Sequence, residues 1–157
     1  MTNNNNSIAF DNLISVLRKL RSPDGCDWDK KQTANSLIPY LLEETYEVIE
    51  AIENNDYDGI KEELGDLCLH ILFQAELARE KGKFSIADSL EFVSKKLINR
   101  HPHIFENKEK NIKSWEEQKK EEKNRKSVLE GVPISFPALT RSQRIQEKAA
   151  SIGFEWK

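Results

Sequence analysis

Several features that would announce a function are missing from this sequence. Among 157 residues there are two cysteines, Cys26 and Cys68. They are 42 positions apart with no C-x-x-C spacing, which excludes a disulfide framework or zinc knuckle and fits a reduced, cytoplasmic protein. Neither has a histidine–acid arrangement nearby, which argues against thiol catalysis. No G-x-x-x-x-G-K-[ST] stretch occurs, so a P-loop is excluded. The longest apolar run, around Leu67–Phe73, falls well short of the roughly 20 residues that a membrane span needs. The opening MTNNNNSIAF has neither the basic start nor the apolar core of a secretory signal. A strong excess of one charge is also lacking. With 27 acidic and 24 basic residues, a formal charge of −3 and a pI near 5.7, the chain has no general field for nucleic acid, and phosphate contacts must come from local cations. Neither a nucleic acid nor a membrane is expected as a partner.

What is present is helical periodicity, without a convincing period-two strand or internal repeat. Residues 8–21 place Ile8, Leu13, Val16, Leu17 and Leu20 on one side of a first helix. SPDGCDWDKKQT reads as a loop marked by Pro23 and Gly25. A second helix is expected over 34–53 and a third over 57–81, the third capped by Asp56 and stopped at Lys81-Gly82. A fourth, over 85–100, is capped by Ser85 and closed by His101-Pro102. Beyond Phe105 the chain turns almost wholly charged, suggesting a solvated helix with a capping box at Ser114–Glu117 and pairs such as Glu116–Lys120. VPISFP is a connector, residues 138–152 form a last amphipathic helix, and GFEWK ends the chain. The expected fold is all-α, a helical bundle built around two antiparallel carboxylate-bearing helices. It would form a single domain over 1–157, with its core at 8–105 and a charged helix and helical extension over 106–157.

Charge is segregated along this chain. Residues 41–66, LLEETYEVIEAIENNDYDGIKEELGD, hold ten acids and one base, leaving 17 acids against 23 bases elsewhere. At about 100° per residue, Ile38, Leu41, Leu42, Thr45, Val48, Ile49 and Ile52 form an apolar stripe on the second helix. Glu43, Glu47 and Glu50 lie opposite it, and Glu44 lies on its flank. That pattern alone describes a wet acidic face. The third helix departs from it. Its stripe is Ile60, Leu64, Leu67, Ile71 and Ala78, and Glu63 falls inside it, about 40° from Leu67. Asp66 sits on the flank, i,i+3 from Glu63, whereas Glu62 points outward. A lone carboxylate in an apolar stripe costs on the order of several kcal/mol unless paired or bound to a metal. Glu44 and Glu47 repeat the i,i+3 spacing, so antiparallel packing would oppose two carboxylate pairs, suited to Mg²⁺ or Mn²⁺ and ill suited to zinc. Gly65 costs about 1 kcal/mol in mid-helix, which fits the close approach of a helix or ligand. Past Leu67 the third helix is apolar nearly all round, implying burial either by the first and fourth helices or by a second subunit.

Cations that could hold a polyphosphate are Lys30, in a loop beside the aromatic face of Trp28, and Lys96 and Arg100, which share a face of the fourth helix at i,i+4. Solvated surface explains them equally well. His70, among apolar residues, reads as a core histidine rather than a ligand.

These residues, taken together, resemble the all-α nucleoside triphosphate pyrophosphohydrolases of the MazG family, with their E-E-x-x-E and E-x-x-D signature. Here the two parts are Glu43-Glu44-Thr45-Tyr46-Glu47 and Glu63-Leu64-Gly65-Asp66. CDWDKKQT, NRHPHIF and PALTRSQRIQEKAASIGFEW resemble three further family blocks, so the likeness covers residues 8–156. Asp27 stands where the family has proline, and Asn99 where it has the first of two arginines. Many members carry two such domains in tandem, and this chain resembles the first. The resemblance implies Mg²⁺-dependent hydrolysis of a nucleoside triphosphate to monophosphate and pyrophosphate, with broad, house-cleaning specificity and Mn²⁺ as a substitute metal. Glu44, Glu47, Glu63 and Asp66 would be the metal ligands, with Glu43 as second shell or as the base orienting the attacking water. Lys30, Lys96 and Arg100 would grip phosphates and Trp28 would stack on the base. It also implies a homodimer or higher homo-oligomer. Competing readings are a dUTP-specific pyrophosphatase, a phosphoribosyl-ATP pyrophosphohydrolase, and a catalytically weak helical dimerisation or interaction domain.

Overall fold

The computed structural model describes residues 2–105, 127 and 129–154, and helical spacing in the sequence becomes helix through most of them. In chain order these are α1 (Thr2–Arg21), α2 (Asp27–Lys31), α3 (Ile38–Glu53), α4 (Tyr57–Glu80), α5 (Ile86–Arg100), α6 (Pro102–Phe105) and α7 (Ala138–Ala150). The described residues contain no strand, and no helix among them is long and apolar enough to cross a membrane. The all-α expectation holds. The charged stretch with Ser114–Glu117 and Glu116–Lys120, and the terminal residues 155–157, lie outside the described residues.

Local chemistry sets the helix ends. The Asp56 side chain accepts from the backbone N–H groups of Asp58 and Gly59, capping α4 as expected. At the other end Gly82 takes φ +62°, with Gly82 N donating to Arg79 O and Lys83 N to Ala78 O, a paired closure that needs a left-handed residue. Ser85 and Asp88 cap α5 reciprocally. α3 starts at Ile38, later than the periodicity suggests, because Pro39 in its first turn obstructs helix before it. Residues 34–37 form a turn instead, closed by reciprocal hydrogen bonds between Thr33 and Ser36 and tied to α4 where Gln74 donates to Ala34 O.

The chain divides into two compact units, Met1–Val93 and Ser94–Lys157. In the first, Leu17, Leu37, Leu72, Phe73 and Leu77 form the buried core, with Phe10, Leu13, Ile14, Ala34, Cys68, Leu69 and Ile86 packed against it. The buried side of α1 is thus the Phe10–Leu13–Ile14–Leu17 row, rotated from the expected stripe, and Ile8, Val16 and Leu20 remain exposed. In the second unit, Lys148 of α7 is buried and donates to Glu130 O.

Within the expected SPDGCDWDKKQT loop, residues 27–31 coil into α2, one helical turn without a side-chain N-cap. So short a helix is marginal by itself, and tertiary bonds hold it. Cys26 N donates to Leu20 O, Lys30 Nζ to Pro23 O, and Arg21 Nη1 to Asp29 O. Gly25 folds so closely over the end of α1 that a Cβ there would lie 2.1 Å from Leu20 O.

Two arginines on α1 clamp two glutamates on α4. Arg21 forks onto Glu80 at 2.6 and 2.7 Å, and its guanidinium lies over the Phe73 ring. Arg18 and Arg79 both bond the buried Glu76. The Arg79 and Arg18 hydrogen bonds hold the Glu76 carboxyl below its ordinary range, and Arg21 does the same for Glu80. A carboxylate depressed in the folded state stabilises the fold above its unfolded pKa, and that contribution is lost as pH falls through the folded value. Glu76→Gln should therefore cost about 1–3 kcal/mol near neutral pH. The gap between wild-type and variant melting temperatures should close as pH drops below the ordinary carboxylate range; a gap constant down to pH 3 would contradict the clamp.

Candidate metal centre

α3 and α4 are joined by the three residues 54–56 and run antiparallel. As numbers rise on α3 they fall on α4. Tyr40 lies by His70, Glu44 by His70 and Asp66, and Ala51 by Gly59. This register joins the acids of the two helices. Glu44, Glu63 and Asp66 each present an oxygen, and the three atoms lie within 4.8 Å of one another. Oxygens bound to one hard cation at about 2.0–2.6 Å can be at most roughly 4–5 Å apart, so the group fits a single ion. The all-carboxylate donor set favours Mg²⁺ or Mn²⁺ over a softer metal.

Glu44 is more enclosed than its place on the sequence stripe suggests. The buried side of α3 is formed by Val48 and Ala51, while Ile38, Leu42, Ile49 and Ile52 are half exposed. The helix has turned Glu44 into the seam. Its carboxyl is raised above the ordinary range by partial burial first, then by the charges of Glu47, Asp66 and Glu63. Glu63, half-buried, is raised by desolvation and then by Glu47, Glu62 and Asp66. Glu47 thus borders the group electrostatically while remaining solvent-exposed. Glu43, one residue before Glu44, is exposed and is not among the three converging acids.

Beside the acids stands an aromatic row. Trp28, half-exposed on α2, meets Tyr40 edge to face at 5.8 Å. Tyr40 stacks on His70, with centroids 6.2 Å apart and planes 4° from parallel. His70 Nε2 is 3.8 Å from Glu44 Oε1. Burial lowers the His70 pKa, partly offset by the charge of Asp66. Tyr40 and His70 were not expected at the site. Their signal was the helical spacing, since Tyr40 precedes Glu44 by one turn and His70 follows Asp66 by one turn.

The expected phosphate-gripping cations are distributed differently. Lys30 binds Pro23 O and pairs with Asp27 at 2.9 Å. Lys96 and Arg100 belong to the second unit, where Lys96 is half-buried and Arg100 buried. Gly65 is not explained by close packing, since a Cβ there would meet nothing within 4 Å in the chain.

The chain is similar to known proteins. Residues 32–105 match the MazG nucleotide pyrophosphohydrolase domain. The chain is 48% identical over 153 residues to a nucleoside triphosphate pyrophosphohydrolase/pyrophosphatase MazG from Thermotoga maritima, covering 96% of this chain and 60% of that protein. It is 44% identical over 156 residues to a nucleoside triphosphate pyrophosphohydrolase of Escherichia coli, covering 94% and 59% respectively. The chain therefore spans about three-fifths of these curated relatives. The crystal structure of a MazG-related protein from Thermotoga maritima superimposes with a TM-score of 0.54 at 32% identity, over 74% of this chain and 97% of the other.

An acid whose pKa is raised by folding destabilises the fold wherever it is ionised. In a chelator, Glu63→Gln should thus melt no lower than wild type. Millimolar Mg²⁺ or Mn²⁺ should raise the wild-type melting temperature by several degrees and leave the variant unmoved. An equal rise in both would place the ion elsewhere.

Proposed function

The chain belongs to the MazG family, and from that premise we propose that it hydrolyses nucleoside triphosphates to monophosphate and pyrophosphate with Mg²⁺ at the α3–α4 seam. The observation that carries this reading is the convergence of Glu44, Glu63 and Asp66 oxygens within 4.8 Å, in a chain whose residues 32–105 match the family domain. The names of the curated relatives support it. Bound there, a divalent cation supplies charge neutralisation for the triphosphate.

The residues divide the remaining work. Glu44, Glu47, Glu63 and Asp66 hold the ion. Glu43 orients the attacking water and accepts its proton; the P–O bond joining the α and β phosphates breaks and pyrophosphate leaves. Lys30, beside Trp28, exchanges its pairing with Asp27 for phosphate oxygens. Trp28, half-exposed beside Tyr40, offers its face to the base. Specificity is broad across bases, because Trp28 and Tyr40 offer aromatic surface rather than a set of base-edge hydrogen bonds. We extend the proposal to a cytoplasmic location, in keeping with its two free cysteines.

The same reading includes a homodimer. Leu42 and Ile49 of α3 and Leu64 and Ile71 of α4 are half exposed, Ile71 at 50%. Their rows turn to the same side of the antiparallel pair, leaving apolar surface suited to a second copy. α1 covers only part of the apolar circumference of α4, burying Leu72, Phe73 and Leu77.

Incubation with ribo- and deoxynucleoside triphosphates and Mg²⁺ should yield monophosphate and pyrophosphate from several bases. Diphosphate plus orthophosphate would refute the reaction. Turnover of dUTP alone or of phosphoribosyl-ATP alone would replace broad specificity with those narrower readings, and no turnover would favour an interaction module. Glu62→Ala, which removes an exposed carboxylate, should stay within about twofold of wild type. Ile71→Asp should sediment as a monomer where wild type sediments as a dimer; an unchanged mass would exclude this face.

A further inference from the structure

His70 is the part of the seam that the proposed reaction leaves unused. It is 9% exposed, and its ring is held on one side by Tyr40, stacked within 4° of parallel. Tyr40 in turn is braced by the edge contact of Trp28. The imidazole has little freedom to rotate, and what it presents to the acids is fixed: Nε2 stands 3.8 Å from Glu44 Oε1. His70 is the only cation-forming side chain recorded within ion-pair distance of Glu44 among the described residues.

The other ring nitrogen selects the tautomer. His70 Nδ1 is buried and has no hydrogen-bond partner. A buried N–H without an acceptor leaves a strong donor unsatisfied. The ring is therefore best satisfied with its proton on Nε2, aimed at Glu44, and with only a lone pair at Nδ1. Carboxylates that bind metals are themselves commonly fixed by an outer hydrogen-bond donor, which sets the carboxyl plane and leaves the second oxygen for the ion. At 3.8 Å the pair is about 1 Å beyond an N–H···O bond, a gap that rotation of the Glu44 carboxyl toward the ring can close.

The geometry points to His70 as a positioning residue for Glu44: its Nε2–H holds one Glu44 oxygen so that the other faces the Glu63 and Asp66 carboxylates, raising affinity for a divalent cation. This inference rests on the proposed metal site and goes beyond it by assigning the orienting donor. Tyr40 acts one step further out, by fixing the imidazole plane.

Mn²⁺ binding, followed by electron paramagnetic resonance without nucleotide, tests this independently of turnover. Phe in place of His70 keeps an aromatic ring against Tyr40 but removes the donor; Gln keeps an N–H near the position of Nε2. His70→Phe should weaken Mn²⁺ binding roughly 10-fold, and His70→Gln should recover most of that loss. Both variants should show the wild-type circular dichroism spectrum, and a His70→Phe protein that fails to fold leaves His70→Leu, with the same expected loss, as the donor-free variant. Equal affinity in wild type and the donor-free variant would overturn the positioning role while leaving the metal site intact. A His70→Gln protein as weak as His70→Phe would overturn it too, by showing that ring shape rather than the donor matters. Wild-type protein that binds no Mn²⁺ would overturn both the inference and the metal site on which it rests.

Discussion

Carboxylates that repel one another are held together at the α3–α4 seam, and the remainder of the first unit is arranged so that they stay there. Glu44 and Glu63 have raised pKa values because they lose water and face like charges. Such a group would separate on any pair of helices free to rotate. What prevents this is the chemistry at the other end of α4. Leu72, Phe73 and Leu77 are buried against Leu17 and Leu37, and Arg18, Arg21 and Arg79 neutralise Glu76 and Glu80. One helix therefore carries a satisfied core at its C-terminal half and an unsatisfied anionic site at its N-terminal half. Because α4 is continuous from Tyr57 to Glu80, the first positions the second.

The two sets of glutamates show how context decides what a carboxylate does. Glu76 is buried, yet its pKa falls, because two guanidiniums donate to it. Glu44 is also mostly enclosed, and its pKa rises, because burial is reinforced by the charges of anionic neighbours rather than offset by guanidiniums. The first is a finished salt bridge, and the second is a cluster of like charges. Arg21 links these regions by binding Glu80 and the Asp29 carbonyl, next to Trp28 in α2. The aromatic row from Trp28 through Tyr40 to His70 thereby rests on the same clamp that secures the core.

Much of this was legible in the sequence. The third-helix cap at Asp56 and the stop at Gly82 depend on interactions within a turn or two of the chain, and each appears in the structure; of the paired i,i+3 acids, Glu44, Glu63 and Asp66 converge while Glu47 stays exposed beside them. The aim of each apolar face was less legible. α3 and α4 carry more apolar surface than one chain buries, so the centre of each stripe misjudges the buried direction; Leu64 and Ile71 are half exposed, while Glu44 is drawn inward. α2 escaped notice because its single turn is fixed by contacts from Leu20, Pro23 and Arg21 rather than by its own residues. His70 was read as a core residue on the strength of its apolar neighbours. It is indeed buried, but the antiparallel register sets it beside Glu44, which composition along one helix does not reveal.

If Glu44, Glu63 and Asp66 hold a divalent cation, the ion can be located by its own scattering. Crystals grown with Mn²⁺ and measured at the manganese absorption edge test this binding most directly. The account predicts an anomalous peak at the α3–α4 seam with oxygens of Glu44, Glu63 and Asp66 about 2.0–2.6 Å away. Density showing only water between those carboxylates, with manganese elsewhere or absent, would contradict it.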